Sequence, residues 1–163
     1  AEQEDPNISR PRIYGYTSRQ LNLTNWYPFV VPYIDGEWVL HEPWYYGEHL
    51  VYDAADYEVN LKFVETAFTP IVAASGFSEQ QDSVRYTITS ARAFALSASR
   101  EFQVSTTQVG DVTVSSYYFA FNEAGGQAAL KASAEALQVY SQRYGPYTHR
   151  TLSLVMGDFN DGM

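Results

Sequence analysis

"VTVSSYYFAFNEAGGQAALKASAEALQVYSQRYGPYTHRTLSLVM", residues 112–156, is the stretch that most clearly predicts the fold class. Its first ten residues are rich in β-branched and aromatic side chains, which favour a strand. The following stretch, up to residue 144, is rich in Ala, Leu, Gln and Glu, which favour a helix. "TLSLVM" at the end is a short apolar run typical of a buried strand. The segment therefore predicts a strand, a helix and a second strand.

The predicted helix has marked ends and one apolar face. Asn122 is placed to cap its start. Gly145-Pro146 stops it, because Gly adopts the left-handed cap conformation and Pro cannot continue a helix. Apolar and aromatic side chains recur at spacings of three and four and form one stripe: Leu130, Ala134, Leu137, Tyr140 and Tyr144. A lone helix of this length is marginal in water, so the stripe is expected to pack on a β-region.

Upstream of this segment the sequence predicts a run of strands. Residues 56–65, "DYEVNLKFVE", alternate apolar and polar side chains with the period of two that gives a strand one buried face. "PIVAASG", "SVRYTIT", "RAFALSAS" and "REFQVST" follow, and Gly110-Asp111 is a turn signal. The fold class predicted is α+β: a predominantly antiparallel β-region, saddle-like or sandwich-like, at residues 1–121, then an amphipathic helix and a strand at residues 122–163.

The composition excludes several classes of partner. A net charge of −9 and a pI near 4.6 disfavour nucleic acid, which requires clustered Lys and Arg. No apolar run approaches the roughly 20 residues that span a bilayer, and "AEQEDPNISRPR" is not an intact signal peptide. The absence of Cys excludes disulfides and thiol chemistry but leaves the compartment open, either cytoplasmic or exported.

"HEPWYYGEH", residues 41–49, begins like half of a zinc-protease motif but does not predict a metal site. His41 and His49 are eight positions apart, whereas the HExxH motif holds zinc because its histidines are four apart on one helix face. Pro43 and Gly47 between them argue against a helix. No catalytic residue is predicted either. Ser97, Ser99, Arg100 and Glu101, in "SASRE", are expected to be ordinary strand residues.

The C-terminal half resembles the aminopeptidase N-like zinc metallopeptidases, the gluzincins. The resemblance covers roughly residues 50–163 and depends on the order of "ARAFALSASREFQV", "VTVSSYYF", the helix, and "RTLSLVMGDFNDGM". In that family the last strand of an N-terminal β-saddle leads into the catalytic domain, whose first helix ends near Gly-Pro-Tyr. Gly145-Pro146-Tyr147 matches this helix end. Asp161-Gly162-Met163 lies where a substrate-binding Gly-x-Met-Glu-Asn segment begins, with Asp161 in place of its first Gly.

The resemblance implies a fragment with substrate-binding residues and no zinc site. The family's zinc motif follows the Gly-x-Met segment, so zinc is expected only in the parent protein, held by later residues. The expected substrate-binding residues are Asp161, Gly162, Met163 and an amine-binding Gln20, although Arg19 fits the amine-binding position as well. The partners implied are the rest of the catalytic domain and a peptide substrate.

Two other interpretations remain open at this stage. The chain has 14 Tyr, 9 Phe and 3 Trp, and such side chains favour half-buried surfaces and interfaces. A stand-alone β-sandwich binding module, possibly for carbohydrate, would use Trp26, Trp38, Trp44 and Tyr45 as stacking platforms. A structural interaction domain is the third interpretation.

Overall fold

The computed structural model describes residues 15–24, 26–40, 53–64, 69–78 and 85–158. They form short strands followed by longer ones, with one long helix near the C-terminal end. The strands are β1 (Gly15–Tyr16), β2 (Leu21–Thr24), β3 (Tyr33–Ile34), β4 (Glu37–Trp38), β5 (Ala55–Asn60), β6 (Ile71–Ala74), β7 (Arg85–Ala91), β8 (Ala95–Ser99), β9 (Phe102–Val109), β10 (Val112–Phe119) and β11 (Thr151–Val155). The helix, α1 (Glu123–Tyr144), connects β10 to β11.

The described strands form four sheets in which every pairing but one is antiparallel. The largest sheet has the order β1-β2-β8-β6, and β5 pairs with β7 and β3 with β4 in two-stranded sheets. The fourth sheet has the order β11-β10-β9, in which β11 runs parallel to β10. The α+β prediction, mainly antiparallel strands followed by one helix and a strand, is confirmed.

The unit β10–α1–β11 is built around one apolar cluster. Leu130 and Leu137 on α1 are buried against Val112 and Val114 on β10, and the cluster extends to Leu152 and Leu154 on β11. Even-numbered residues of both strands therefore face the helix, as the period of two requires. The helix has 22 residues and so a length of about 33 Å, more than the roughly 26 Å of the eight-residue β10. The helix therefore extends beyond the end of the sheet.

That difference in length exposes part of the predicted stripe. Leu130 and Leu137 are buried as expected, whereas Tyr140 and Tyr144 are 60% and 80% exposed. The two rings contact each other with centroids 6.1 Å apart instead of packing on the sheet.

The ends of the helix are formed differently from one another. Asn122 occupies the cap position, but its side chain makes no capping hydrogen bond, so the prediction of a side-chain cap is wrong. Its Nδ2 instead donates to Met156 Sδ at 3.8 Å. At the other end Gly145 has a φ of 105°, a conformation that side-chain-bearing residues rarely adopt. The predicted stop at Gly145 is thus confirmed.

The earlier strands have a second core, rich in aromatic side chains. Phe94 is fully buried with Ala74 and Leu96, and half-buried tyrosines surround it. The Tyr27 hydroxyl accepts a hydrogen bond from the Phe94 amide at 2.7 Å, and the Tyr27 and Tyr57 rings meet edge to face at 5.4 Å. Tyrosine suits this position because its ring packs and its hydroxyl still reaches a polar partner.

Contacts along β11 join the two cores. Before the strand, the Arg150 guanidinium lies over the Phe77 ring, 3.7 Å from its centroid. In the middle, Ser153 Oγ donates to the Ala74 carbonyl at 3.3 Å. The β11-β10-β9 sheet uses strands from both sides of residue 121, and the predicted division of the chain into two units at that residue stays a prediction.

Candidate functional site

A large cavity lies between β11 and the sheet of β1, β2, β8 and β6. Its volume is about 620 Å³, within the range of roughly 300–1,000 Å³ typical of ligand sites. We call it the groove. Its walls come from β11 on one side and from the connection between β7 and β8 on the other.

The floor of the groove is made of small side chains. Asn22, Ser97 and Ala73 lie opposite one another on β2, β8 and β6, and Thr24 and Ala95 form the next row. Residues opposite each other on neighbouring strands share one face of a sheet, so these rows present a shallow surface to the groove. Short strands with small residues at these positions leave room above the sheet where bulky side chains would fill it.

A buried polar network closes one end of the groove. Gln20 is 2% exposed. Its Nε2 lies 2.7 Å from Ser97 Oγ, 3.0 Å from Asn22 Oδ1 and 3.2 Å from the Met156 carbonyl oxygen. Its Oε1 accepts a hydrogen bond from the Asp158 amide at 2.7 Å. Buried polar groups need such partners because an unpaired one costs about 1–3 kcal/mol.

Ser97 completes this network. Its hydroxyl donates to Asn22 Oδ1 at 2.6 Å while it accepts from Gln20. The Gln20 amide therefore holds the residues that follow β11 against β2 and β8.

Asp158 fixes the same end of the groove from the surface. Its Oδ2 accepts a hydrogen bond from Thr17 Oγ1 at 2.7 Å, and its Oδ1 lies 3.5 Å from Arg19 Nη1. Arg19 also lies 3.8 Å from a Glu101 carboxylate oxygen and over the Phe121 ring, 5.4 Å from its centroid. Arg19, the second candidate for the amine-binding position, is thus a cation engaged with carboxylates.

The lining of the groove is poor in charge. Among the described lining residues the charged side chain is Arg92, the titratable imidazole is that of His149, and carboxylates are absent. His149 meets the Tyr147 ring edge to face at 5.6 Å. Burial raises the pKa of the Tyr147 hydroxyl, which donates a hydrogen bond to the Thr151 carbonyl at 3.3 Å. The groove is suited to an uncharged occupant.

The predicted site residues fall in different parts of the chain. Gln20 lies at the end of the groove, in the network described above, and its amine-binding role stays a prediction. Asp161, Gly162 and Met163 lie outside the described residues, as do His41 and His49. Within the ranges that the structure describes, no group of three or more His, Cys, Asp or Glu could hold a metal ion.

A second cavity lies among the aromatic residues of the earlier strands. It measures about 560 Å³, and Tyr27, Tyr33, Trp38 and Tyr57 line it with two prolines. Tyr33 and Trp38 face each other across the β3–β4 hairpin, edge to face at 4.9 Å, and both remain more than half exposed. Trp44 and Tyr45, the other predicted stacking platforms, lie outside the described residues.

Sequence reasoning did not find Asn22 and Asp158, and it took Ser97 for an ordinary strand residue. In the structure Ser97 does pair with Asn22 in the β-ladder, and its hydroxyl also belongs to the Gln20 network. The available signal was a pair of polar residues two positions apart, Gln20 just before the "LNLT" strand and Asn22 within it.

Comparison with protein-family models, with curated proteins and with solved structures finds no match to this chain. Within the described part of the chain, no helix is both long and apolar enough to cross a bilayer.

Proposed function

We propose that the chain is the non-catalytic N-terminal part of an aminopeptidase N-like zinc metallopeptidase and shapes its substrate cleft. One observation carries this proposal: β11 and the residues after it are held by Gln20 at the end of the groove. In the family that the chain resembles, the segment that follows this strand contacts the substrate backbone. The groove would then adjoin the place where Asp161, Gly162 and Met163 act.

Further support comes from the order of elements. A strand, a helix that ends at Gly145-Pro146-Tyr147 and a parallel strand follow one another as the resemblance requires. The described residues do not fit a zinc site, so the proposal assigns zinc and its ligands to later residues of the parent protein. In this proposal residues 1–163 position the walls of the cleft and take no part in proton transfer.

The experiment is to read the gene beyond codon 163 and to compare the two proteins. We expect an HExxH motif with a distal Glu within a few dozen codons. The longer protein should hydrolyse aminoacyl reporter substrates in a chelator-sensitive way, and residues 1–163 alone should not. Absence of the motif, or chelator-sensitive turnover by the purified 163-residue chain, contradicts the proposal.

The aromatic cavity favours a second candidate function, a carbohydrate-binding module. Sugar rings stack on exposed aromatic rings, and Tyr33 and Trp38 in the cavity lining are more than half exposed. Trp26, outside that lining, is 46% exposed. The edge-to-face contact of Tyr33 with Trp38, however, leaves these two rings without a common plane. A glycan array distinguishes the candidates: reproducible binding that Trp38→Ala abolishes supports the module, and no binding is expected of a cleft-shaping part.

A further inference from the structure

The aromatic cavity brings ring side chains from separate parts of the chain around one space. Tyr27, Tyr33, Trp38 and Tyr57 line it, and we call these residues the cage. They come from the segment between β2 and β3, from the β3–β4 hairpin and from β5. The ring planes are inclined by 64° between Tyr27 and Tyr57 and by 62° between Tyr33 and Trp38. The cage therefore offers ring surface in several directions rather than one flat platform.

The backbone of the hairpin fixes one half of the cage. Tyr33 and Trp38 are cross-strand partners on β3 and β4. The turn between these strands contains Asp35 and Gly36, which both have a positive φ, 53° and 85°. Positive φ at both central residues is typical of a tight two-residue hairpin turn. The turn therefore holds the two rings next to each other, with their centroids 4.9 Å apart.

Hydrogen bonds outside the cavity fix the other half of the cage. The Tyr27 hydroxyl accepts from the Phe94 amide at 2.7 Å, and the Tyr57 hydroxyl donates to the Arg92 carbonyl at 3.2 Å. Neither Phe94 nor Arg92 is among the described residues that line the cavity. Both phenol oxygens are thus engaged with the second core, and Tyr27 and Tyr57 contribute mainly ring surface to the cavity.

The rest of the lining is apolar, apart from one carboxylate. Prolines, valines, alanines and Phe29 complete the wall. Among the described lining residues the charged side chain is Asp53, and Lys and Arg are absent. Asp35 and Glu37 lie exposed in the β3–β4 hairpin, and the whole chain has a net charge of −9. The charge in and around the cavity is therefore complementary to a cation.

The chemistry of this lining favours a cation over a sugar. A sugar has many hydroxyls that need polar partners, and its ring stacks best on a flat aromatic surface. The aromatic cavity supplies few polar side chains, and its rings are steeply inclined. The face of an aromatic ring attracts a cation within about 6 Å of its centroid. A quaternary ammonium group has no N–H to satisfy and a rounded apolar surface, so inclined rings and one carboxylate suit it.

We propose that the cage binds a trimethylammonium group, with the Asp53 carboxylate as its counter-charge. Two kinds of ligand carry this group: choline and related small molecules, and a peptide with a trimethylated lysine. The inference goes beyond the proposed function and does not depend on it, because it concerns a different cavity from the groove. It also assigns the aromatic cavity a cation in place of a sugar.

A neutral molecule with the shape of choline tests the role of the charge. Dimethylbutanol has this shape, with a carbon atom in place of the nitrogen. We expect the 163-residue chain to bind choline at least about tenfold more tightly than dimethylbutanol, because only the cation is attracted by the ring faces. Isothermal titration calorimetry measures both affinities, and the NMR signal of the Trp38 indole N–H should shift with choline. Equal affinities, or no binding of choline, would show that the cavity is not a cation site.

Two substitutions locate the site, and each has a matched control. Trp38→Leu keeps an apolar side chain but removes a ring face, so choline should bind about tenfold more weakly. Asp53→Asn removes the counter-charge and should weaken choline binding roughly threefold, with dimethylbutanol unaffected. Trp26→Leu, at a partly exposed ring outside the lining, and Asp111→Asn, in an exposed turn, should leave choline binding unchanged.

The variants must be folded for this comparison, and circular dichroism establishes that. If Trp38→Leu does not fold, Asp53→Asn decides the outcome, because Asp53 is exposed. Choline binding by Asp53→Asn and by a folded Trp38→Leu as tight as by their controls would contradict the assignment.

Two peptides and a glycan array identify the source of the group. A peptide with a trimethylated lysine that binds more tightly than both its unmodified form and choline assigns the cage to a modified protein. Choline that binds more tightly than the trimethylated peptide assigns it to a small molecule. Equal binding of the two peptides would show that the methyl groups are not recognised, which contradicts the proposal. Glycan binding that Trp38→Ala abolishes, without any binding of choline, overturns the inference and supports the carbohydrate-binding module.

Discussion

The region up to Ser99 and the region from Phe102 onward are built by different means. In the first, strands are short and pair across long stretches of sequence, as β2 does with β8. In the second, β9, β10, α1 and β11 follow one another and pack on their neighbours in sequence. Polar hydrogen bonds hold the first region together at Gln20, whereas apolar burial dominates the second. The second region therefore depends on contacts between neighbours in sequence, whereas the floor of the groove depends on strands that are remote in sequence.

Cutting the second region between β10 and α1 is expected to have the largest effect. Residues 1–121 expressed alone should remain folded and largely β. Residues 122–163 alone should be mostly disordered, because Leu130 and Leu137 lose Val112 and Val114 and β11 loses its ladder partner. Circular dichroism and thermal melts of the two pieces decide this. A cooperatively folded 122–163 peptide would show that the helix carries its own core.

Two neighbouring glycines test how closely the helix packs on the sheet in the second region. A Cβ at Gly126 would overlap the ring of the buried Tyr118, whereas a Cβ at Gly125 would meet the exposed side chain of Asn122. Gly126→Ala should therefore destabilise the chain by about 1–3 kcal/mol through overpacking. Gly125→Ala should stabilise it by about 0.5–1 kcal/mol, since Ala favours a helix. Urea unfolding of both variants measures the difference, and equal effects would contradict the close packing of helix and sheet.

The polar network offers a matching test in the first region. Gln20→Ala removes the hydrogen bonds of the Gln20 amide with Ser97, Asn22 and the Asp158 amide, which should cost about 1–3 kcal/mol. Faster amide exchange at Asp158 should accompany the loss. Gln108→Ala, at an exposed amide on β9, is the control and should stay within about 0.5 kcal/mol. If Gln20→Ala melts like this control, the network does not hold β11 in place.

Alkaline pH tests the contact between the regions. Burial raises the pKa of Tyr117, although hydrogen bonds to Ser115 and Ser153 act to lower it. The pKa of Tyr86 is raised by burial and by the nearby Tyr117. A raised pKa means that the folded chain holds these protons when the unfolded chain releases them. Stability is therefore complete below the usual tyrosine pKa near 10 and falls as pH rises from there through the raised values.

The measurement is the melting temperature from about pH 8 to pH 11. Tyr117→Phe should weaken the alkaline loss because it removes one of the titrating groups. Tyr144→Phe, at the exposed end of the helix, controls for loss of a hydroxyl. An unchanged alkaline profile for Tyr117→Phe would contradict a role for this hydroxyl in the pH dependence.

Sequence reasoning succeeded where the pattern is local. The two-residue turn at Gly110-Asp111, with Gly110 at a φ of 58°, and the helix stop at Gly145 follow from backbone preferences of single residues. Strand β5, predicted over residues 56–65, runs over Ala55–Asn60, so it ends before the alternation of apolar and polar residues does. The period of two predicts a strand but not where its pairing ends.

The candidate site was less accessible to sequence reasoning. Gln20 was singled out for an amine, but the structure places its amide against Met156 and Asp158, more than 130 positions away. No local pattern encodes that contact. The contact depends on the register of β2 with β8 and on the position that β11 takes after α1. The groove likewise results from small residues on three strands that are remote in sequence.

The contact of Gln20 with Asp158 has a consequence for how the chain is made. During synthesis β2 leaves the ribosome long before residue 158 exists, so Gln20 spends that interval without its final partners. At about 5–20 residues per second the delay lasts some seconds, and a contact of such wide sequence separation closes late. Until then the polar side chains of β2 and β8 face water, and the residues that follow β11 complete the site when they reach the first strands.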